Sequence, residues 1–221
     1  MLTIYGVPIS VHVRKTLVTA NLKGIPHQVE PVIPFNPPPG WTSLSPTGLI
    51  PAMKDGDFTL AESTAICSYL EDREPAPSIF AADAAQQSRI LFFDGYAGHV
   101  FRTLVHGLFF QKVITPVILK GKTDQAVVDG ILTTVRPKVF GYLEGQVAGR
   151  FLIGNSLTLA DIAIASNLIN FQYLGLAIPR TEYPKLARYA TDMASLDVFT
   201  TTLDNERPFA EQMGLDRSFM S

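Results

Sequence analysis

The chain has 221 residues, of which 47% are hydrophobic and 17% are charged, and its formal net charge at neutral pH is −2. This length is sufficient for a buried core and predicts one large or two small domains, and the lack of a basic excess argues against a nucleic-acid partner. No stretch has the ~18 consecutive apolar residues of a membrane span, and the first residues lack a signal-peptide pattern. We therefore predict a cytoplasmic globular protein with no membrane partner.

Four elements are predicted at the start of the chain. Residues 2–5 alternate apolar and polar side chains as a strand does, and the apolar stripe that follows Ser10 predicts a helix ending at Gly24. A second strand is predicted over residues 26–33. The run NPPPG that follows is a loop, because proline is excluded from helix interiors and central strands.

The stretch from residue 47 to residue 70 predicts a strand, a turn, a strand and a helix. Residues 50–53 are apolar, Asp55-Gly56 is a hairpin signal, and Glu62-Ser63 opens an apolar-periodic helix. The order of the first half is therefore βαβ followed by ββα, as in a thioredoxin-like domain.

Beyond the linker EPAPS, residues 74–78, every pattern is helical. Long apolar-periodic segments cover residues 86–119 and 125–147, and the second contains a proline that predicts a kink. Two further helices are predicted, one following residues 151–154 and one over 183–196. We predict an α/β thioredoxin-like domain over residues 1–78 and an all-helical domain over residues 84–221.

A complete capping box marks the start of the first of those two helices. In Thr158-Leu159-Ala160-Asp161, the threonine hydroxyl would accept the N3 amide while Asp161 reaches back to the cap amide. Such a cap stabilises a helix by about 1 kcal/mol. Its predicted role is structural.

Two features of residues 47–70 are unusual for scaffolding alone. Pro51 lies in a predicted strand, where it removes a ladder donor. Glu62-Ser63 brings a carboxylate, a hydroxyl and free backbone N–H groups to a helix start, which predicts an anion site. The alternative is an edge-strand proline and an ordinary helix cap.

Together these motifs resemble the glutathione-binding half of the glutathione transferase family. The resemblance implies that Pro51 is cis, that Ile50 offers its backbone N–H and C=O to the cysteinyl part of glutathione, and that Glu62 and Ser63 hold the γ-glutamyl end. The Phe-Leu-x-Gly turn at residues 151–154 and the capping box resemble the helical domain of the same family. The fold implied is that of a glutathione transferase.

The resemblance also implies a catalytic hydroxyl near the first helix. A free thiol is only a few per cent ionised at neutral pH, and the thiolate is the nucleophile. Ser10, in the loop Gly6-Val7-Pro8-Ile9-Ser10, matches the serine-type members, and its alternative role is to cap the helix. Tyr5 is the second candidate, because tyrosine-type members use a hydroxyl nearby.

Leu49 departs from the family pattern. Members often carry Lys or Gln at this position, and a nearby cation commonly holds the glycine carboxylate of glutathione. Residues 32–49 contain no cation. Leu49 is therefore expected to border the glutathione site without adding charge, and glutathione binding could be weak.

The acceptor substrate is expected to meet the long helix after the linker. Several side chains recur there at three- and four-residue steps and so share one face, which together with Val7 would line the pocket: Tyr96, His99, Arg102, Thr103 and His106. Two imidazoles and a guanidinium suggest a polar or anionic acceptor, and a solvated face or a dimer contact are the alternatives. The single cysteine, Cys67, and two histidines seven residues apart give no metal signal, so no metal is predicted.

The sequence therefore predicts a homodimeric glutathione transferase-like enzyme of the detoxification type, with glutathione as co-substrate and a small electrophile as acceptor. One alternative is a non-catalytic binding or interaction protein of the same fold. The other is a glutathione-dependent isomerase, dehalogenase or reductase.

Overall fold

The computed structural model describes residues 1–220, and its N-terminal part is built on a four-stranded mixed sheet. The sheet has the order β2-β1-β3-β4, in which β1 is parallel to β2 and antiparallel to β3. The strands are β1 (Leu2–Tyr5), β2 (His27–Glu30), β3 (Ala52–Asp55) and β4 (Phe58–Ala61). Ser221, the last residue of the predicted second domain, lies outside the described residues.

Helices cover both faces of this sheet. Helices α1 (Val11–Leu22) and α3 (Ser63–Arg73) pack on one face, where Leu2 and Ile4 are fully buried. The four-residue helix α2 (Trp41–Leu44) packs on the other face. Alternate β1 side chains thus enter different cores, as the period of two requires. The predicted thioredoxin-like domain is confirmed.

The rest of the chain is helical, as predicted. A continuous helical segment begins with α4 (Ala84–Phe101), which passes through the π-helical stretch Arg102–His106 into α5 (Gly107–Phe109). A second π-helical stretch, Phe110–Ile118, follows α5. The other helices are α6 (Gln125–Gly130), a π-helical stretch at Ile131–Val135, α7 (Arg136–Gln146), α8 (Leu159–Tyr173), α9 (Pro184–Ala194) and α10 (Asp197–Gln212). Within residues 1–220, no helix is both long and apolar enough to cross a membrane.

Helix α8 forms the centre of the helical domain. It is buried along almost its whole length and packs against α1, α4 and α9. The predicted capping box is present at its start, where Asp161 accepts the Thr158 N–H at 3.0 Å and the Leu152 N–H at 2.8 Å. Because Asp161 also accepts the Tyr189 hydroxyl at 3.0 Å, the box joins α8 to α9.

The two domains meet through a buried ion pair. Arg14 of α1 is fully buried and bonds both carboxylate oxygens of Glu206 of α10, at 2.7 and 2.6 Å. The same guanidinium donates to the Asn170 side chain at 2.7 Å and to the Ser166 carbonyl at 2.8 Å, both on α8. Helix α1 is therefore held by both α8 and α10.

Candidate functional site

The loop between β1 and α1 depends on Gly6. Its φ is +146°, which side chains rarely adopt, and an added Cβ would lie 2.5 Å from Val13 and 3.1 Å from Ile50. The Gly6 N–H donates to the Glu30 carbonyl at 2.9 Å. The glycine thus allows the start of α1 and the Ile50 segment to approach closely.

Ser10 is the N-cap residue of α1, but its hydroxyl does not cap the helix. Its N–H donates to the Val7 carbonyl at 3.0 Å, and its carbonyl accepts the Arg14 N–H at 2.8 Å. The preceding carbonyl, that of Ile9, accepts the Asn170 side chain at 3.0 Å. The Ser10 hydroxyl is half-buried and has no hydrogen-bond partner among residues 1–220. Its contacts therefore indicate no structural role.

The peptide bond between Ile50 and Pro51 is cis, as the resemblance implies. It lies just before β3, and the N–H and C=O of Ile50 have no partner in the described part of the chain. Leu49, beside it, is 64% exposed, and its carbonyl accepts the Ser45 hydroxyl at 2.7 Å. Ile50 therefore presents a free donor and acceptor, as an unpaired strand residue would.

Glu62 caps helix α3 with its own carboxylate. The two carboxylate oxygens accept the Thr64 N–H at 3.0 and 3.1 Å and the Ala65 N–H at 3.0 Å. Burial disfavours the charge of Glu62, but these amide bonds outweigh burial and lower the pKa of the carboxyl. The prediction of free backbone N–H groups is therefore wrong for Thr64 and Ala65, because the Glu62 carboxylate already accepts hydrogen bonds from both.

Ser63 follows Glu62 and is only 2% exposed. Its hydroxyl lies 3.2 Å from a carboxylate oxygen of Glu62 and 3.4 Å from Nδ1 of His12. A hydroxyl that donates to the carboxylate can also accept a hydrogen bond from an imidazole protonated at Nδ1, so both contacts can exist together.

His12 lies in the cleft between the two domains, with its side chain open to the cleft. Surrounding protein, and then the charge of Lys15, lower the pKa of His12 to about 4. The imidazole is therefore neutral at physiological pH and can donate through one ring nitrogen only.

Lys15 and Asp94 form a buried pair that joins α1 to α4. The ammonium lies 2.7 Å from Asp94 and 3.0 Å from the Thr64 hydroxyl, which in turn donates to Asp94 at 2.6 Å. Neither residue was predicted for the site. Lys15 lies on the same helix as Ser10, but no local pattern indicates a partner 79 residues away.

These groups surround a cavity of about 200 Å³ at the meeting point of α1, α3, α4 and α8. Small residues of α4 and α8 keep it open, among them Gly95, Gly98 and Ala163. Its polar lining consists mainly of His12, Lys15, Ser63, Asp94, His99 and Asn167. The cavity thus brings Ser63 together with one residue of the predicted acceptor stripe, His99.

The other residues predicted for the acceptor pocket occupy different positions. Arg102, Thr103 and His106 are exposed on the π-helical stretch, and Val7 packs against the core of the helical domain. Tyr96 turns toward α7, where its ring centre lies 5.0 Å from that of Tyr142. Burial, and then Tyr142, raise the pKa of Tyr96 to about 12.

Tyr5 lies on the sheet face covered by α2. Its ring centre is 6.2 Å from that of Trp41, and burial, followed by the charge of Glu30, raises its pKa. Tyr5, like Ser10, is not among the residues that line the cavity described above. Its phenol is therefore held neutral and is turned toward a different core from that under α1.

Cys67 is buried on α3, 3.3 Å from the Thr19 hydroxyl, and burial raises the pKa of its thiol to about 11. Such a thiol is protonated at neutral pH. In the described part of the chain, no group of three His, Cys, Asp or Glu side chains could hold a metal ion.

Two family models match the sequence. The model of the glutathione S-transferase N-terminal domain matches residues 9–73, and that of the C-terminal domain matches residues 105–197. The matched ranges contain the cis proline, Glu62-Ser63 and the capping box.

Individual proteins are similar over most of the chain. Glutathione S-transferase 3 of Zea mays is 31% identical over 165 residues, which are 72% of this chain and 73% of the relative. The glutathione S-transferase of Rhodospirillum rubrum F11 superposes with a TM-score of 0.84 at 24% identity and covers 92% of each chain. A glutathione S-transferase-I structure bound with lactoylglutathione has a TM-score of 0.78 at 22% identity, covering 92% of this chain and 98% of that one.

Proposed function

Because the chain belongs to the glutathione transferase family, we propose that it binds glutathione and activates the thiol for attack on a small electrophile. The observation that carries the proposal is the free backbone N–H and C=O of Ile50, whose side chain lies next to Gly6 in the loop that also holds the unpartnered hydroxyl of Ser10. One group can bind a peptide in an extended form, and the other can meet its sulfur.

In the proposed complex, the cysteinyl part of glutathione pairs with the N–H and C=O of Ile50 beside cis-Pro51. The Ser63 hydroxyl donates a hydrogen bond to the carboxylate of the γ-glutamyl moiety, and the Glu62 carboxylate accepts a hydrogen bond from the ammonium group of the same moiety. Leu49 borders the glycine end without a charge. A donor thus meets the ligand carboxylate and an acceptor meets the ligand ammonium group, so both contacts are charge-assisted hydrogen bonds.

Ser10 is the proposed catalytic residue, and Tyr5 is the alternative. A thiol pKa lowered by about two units corresponds to ~2.7 kcal/mol. One hydrogen bond from Ser10 to the thiolate, worth ~1.5–3 kcal/mol, and the N-terminus of α1, worth ~0.3–1 kcal/mol, can supply this. The thiolate then forms a C–S bond with the electrophile, the leaving group departs with its electron pair, and the thiol proton goes to solvent.

A binding protein without catalysis is the second candidate. It is favoured by the exposed Leu49 and by residues 32–49, which offer no cation to the glycine carboxylate. In that case glutathione would bind with its thiol still protonated, or would not bind.

We test the proposal by titrating glutathione calorimetrically while following the ultraviolet absorbance of the thiolate. We expect binding with thiolate formation near neutral pH in the wild type, and binding without thiolate in Ser10→Ala. Tyr5→Phe is the matched control, because it also removes one hydroxyl, and glutathione bound to this variant should still form the thiolate. Binding without thiolate in the wild type favours the second candidate, and loss of thiolate in Tyr5→Phe alone transfers the catalytic role to Tyr5.

The proposal includes a cytoplasmic homodimer, in line with the family. Large apolar side chains exposed on α4 support a contact between two copies, since Leu91 is 45% and Phe92 52% exposed. Light scattering coupled to size exclusion measures the mass directly, and a monomer of 24.2 kDa would contradict this part.

A further inference from the structure

Two basic side chains line the cavity, His12 of α1 and His99 of α4, and two more follow His99 three and seven residues along the chain, Arg102 and His106 of the π-helical stretch. We call this group the basic cluster. His99 lines the cavity together with His12, and His106 makes the smallest of several contributions to the lowered pKa of His12. The cluster therefore combines a side chain of the thioredoxin-like domain with side chains of the helical domain.

The burial of the residues between them shows that Arg102 and His106 lie on the accessible side of the π-helical stretch. Leu104 and Val105, between Arg102 and His106, are 0% and 2% exposed and belong to the core of the helical domain. Arg102 and His106 consequently remain on the accessible side of the same turn. His106 also stacks on Phe110, with ring centres 6.5 Å apart and an interplanar angle of 28°, so a flat apolar surface adjoins the cluster.

The carboxylates near the cluster already have partners. Asp94 is bonded to Lys15 at 2.7 Å, and the oxygens of Glu62 accept amides of α3. Arg102, by contrast, makes no hydrogen bond or ion pair with any residue that the structure describes. It is a permanent positive charge without a partner in a chain whose net charge is −2.

Two of the histidines, His12 and His106, add donors rather than charge. Burial, and then the charge of Arg102, lower the pKa of His106, and the pKa of His12 is lowered to about 4. Near neutral pH each ring therefore presents one N–H, while Arg102 presents a fork of donors that matches a carboxylate.

We propose that the acceptor substrate is a carboxylate-bearing electrophile, bound through Arg102 with His106 as a second donor and its flat part against Phe110. This inference rests on the proposed function for the reaction itself, but the anion site can be measured without turnover. In the reaction, the glutathione sulfur attacks the electrophilic carbon, the C–S bond forms, and the leaving group departs while the carboxylate stays on Arg102.

The test compares 3,5-dinitrobenzoate with its methyl ester, two unreactive ligands that differ in charge, by calorimetric titration of the full chain. We expect the carboxylate to bind about tenfold more tightly than the ester, since one charge-assisted contact is worth about that much. Arg102→Gln should remove this preference. Arg89→Gln is the matched control, because it removes the same charge from the exposed surface of α4, the helix that continues into the π-helical stretch of Arg102, about 220° around the axis.

Equal binding of the two ligands, no binding of either, or an equal loss in both variants would overturn the inference. The proposed function is tested separately, with 4-chloro-3,5-dinitrobenzoate and its methyl ester as electrophiles and each rate divided by the uncatalysed rate with glutathione. Conjugation without preference for the acid contradicts only the anion site. Preferential binding of dinitrobenzoate without any conjugation contradicts only the proposed function.

Discussion

The Ser63 hydroxyl is a buried polar group whose contacts leave room for a ligand. It lies 3.2 Å from Glu62 and 3.4 Å from His12, distances at the long end for such bonds. An incoming carboxylate can therefore replace Glu62 as the acceptor of the Ser63 hydroxyl, while a His12 ring protonated at Nδ1 donates to the same oxygen.

Ser63→Ala should weaken glutathione binding roughly tenfold or more, because a hydrogen bond to a charged ligand group is worth about 1.5–3 kcal/mol. Calorimetry measures the dissociation constant. Ser68→Ala, an exposed serine on the same helix, is the control and should bind glutathione as the wild type does. Equal affinities of wild type and Ser63→Ala would exclude Ser63 from the ligand contacts.

His12 should make stability depend on pH. Its pKa is about 4 in the folded chain, below the ordinary value of about 6.5, so the unfolded chain takes up a proton first as the pH falls. The stabilisation is therefore complete above about pH 6.5 and is lost as the pH falls towards about 4. His12→Asn cannot make this transition.

Urea unfolding of both proteins at about pH 7.5 and about pH 5 measures the difference, with a linear extrapolation at each pH. We expect His12→Asn to lose less stability than the wild type between the two values. If the two proteins lose the same amount, the imidazole is not shielded from protonation in the cleft.

At the level of elements, the loop between β1 and α1 depends on a glycine that cannot accept a side chain. Gly6→Ala would place a Cβ 2.5 Å from Val13 at a φ of +146°. The strain and overlap should cost about 1–3 kcal/mol of unfolding free energy. Because the same Cβ would lie 3.1 Å from Ile50, glutathione affinity should fall as well.

Gly141→Ala, in helix α7, is the matched substitution and should have the opposite sign. An added Cβ meets nothing within 4 Å there, so the variant should be more stable by about 0.5–1 kcal/mol. Denaturant midpoints at constant m-value measure both changes. A Gly6→Ala protein as stable as the wild type would contradict the close packing of the loop on Val13.

Local signals predicted most of these elements, while long-range partners remained hidden. Alternation and hairpin signals located the strands to within two or three residues, and Thr158 to Asp161 predicted the capping box. The π-helical stretches and helix α10 were missed, because tertiary packing rather than local periodicity determines them. The sequence assigned Glu62 to the site. It did not predict that the Glu62 carboxylate accepts the N–H groups at the start of its own helix.

At the level of the whole molecule, the ion pair of Arg14 and Glu206 joins elements 192 residues apart. Burial disfavours the charge of Arg14, but the carboxylate outweighs burial and raises its pKa. Glu206 also accepts the Tyr173 hydroxyl at 3.2 Å, so the pair belongs to a network shared by both domains. No sequence pattern near Arg14 could indicate this partner, because Glu206 lies 192 residues away along the chain.

Arg14→Met should destabilise the protein by about 3–5 kcal/mol, since it leaves the Glu206 carboxylate buried without its partner. The double variant Arg14→Met with Glu206→Gln should cost less than Arg14→Met alone, because the unpaired charge is then absent as well. Urea unfolding followed by far-ultraviolet circular dichroism gives these free energies.

A second probe tests whether the same pair couples the domains. Trp41 is the only tryptophan and lies in the thioredoxin-like domain, so its fluorescence reports that domain, while circular dichroism is dominated by the helical one. The two transitions should coincide in the wild type, as expected for a single cooperative unit. In Arg14→Met the fluorescence transition should move to lower urea, because α1 loses its strongest link to α8 and α10. Coincident transitions in that variant would mean that apolar packing, rather than the ion pair, couples the domains.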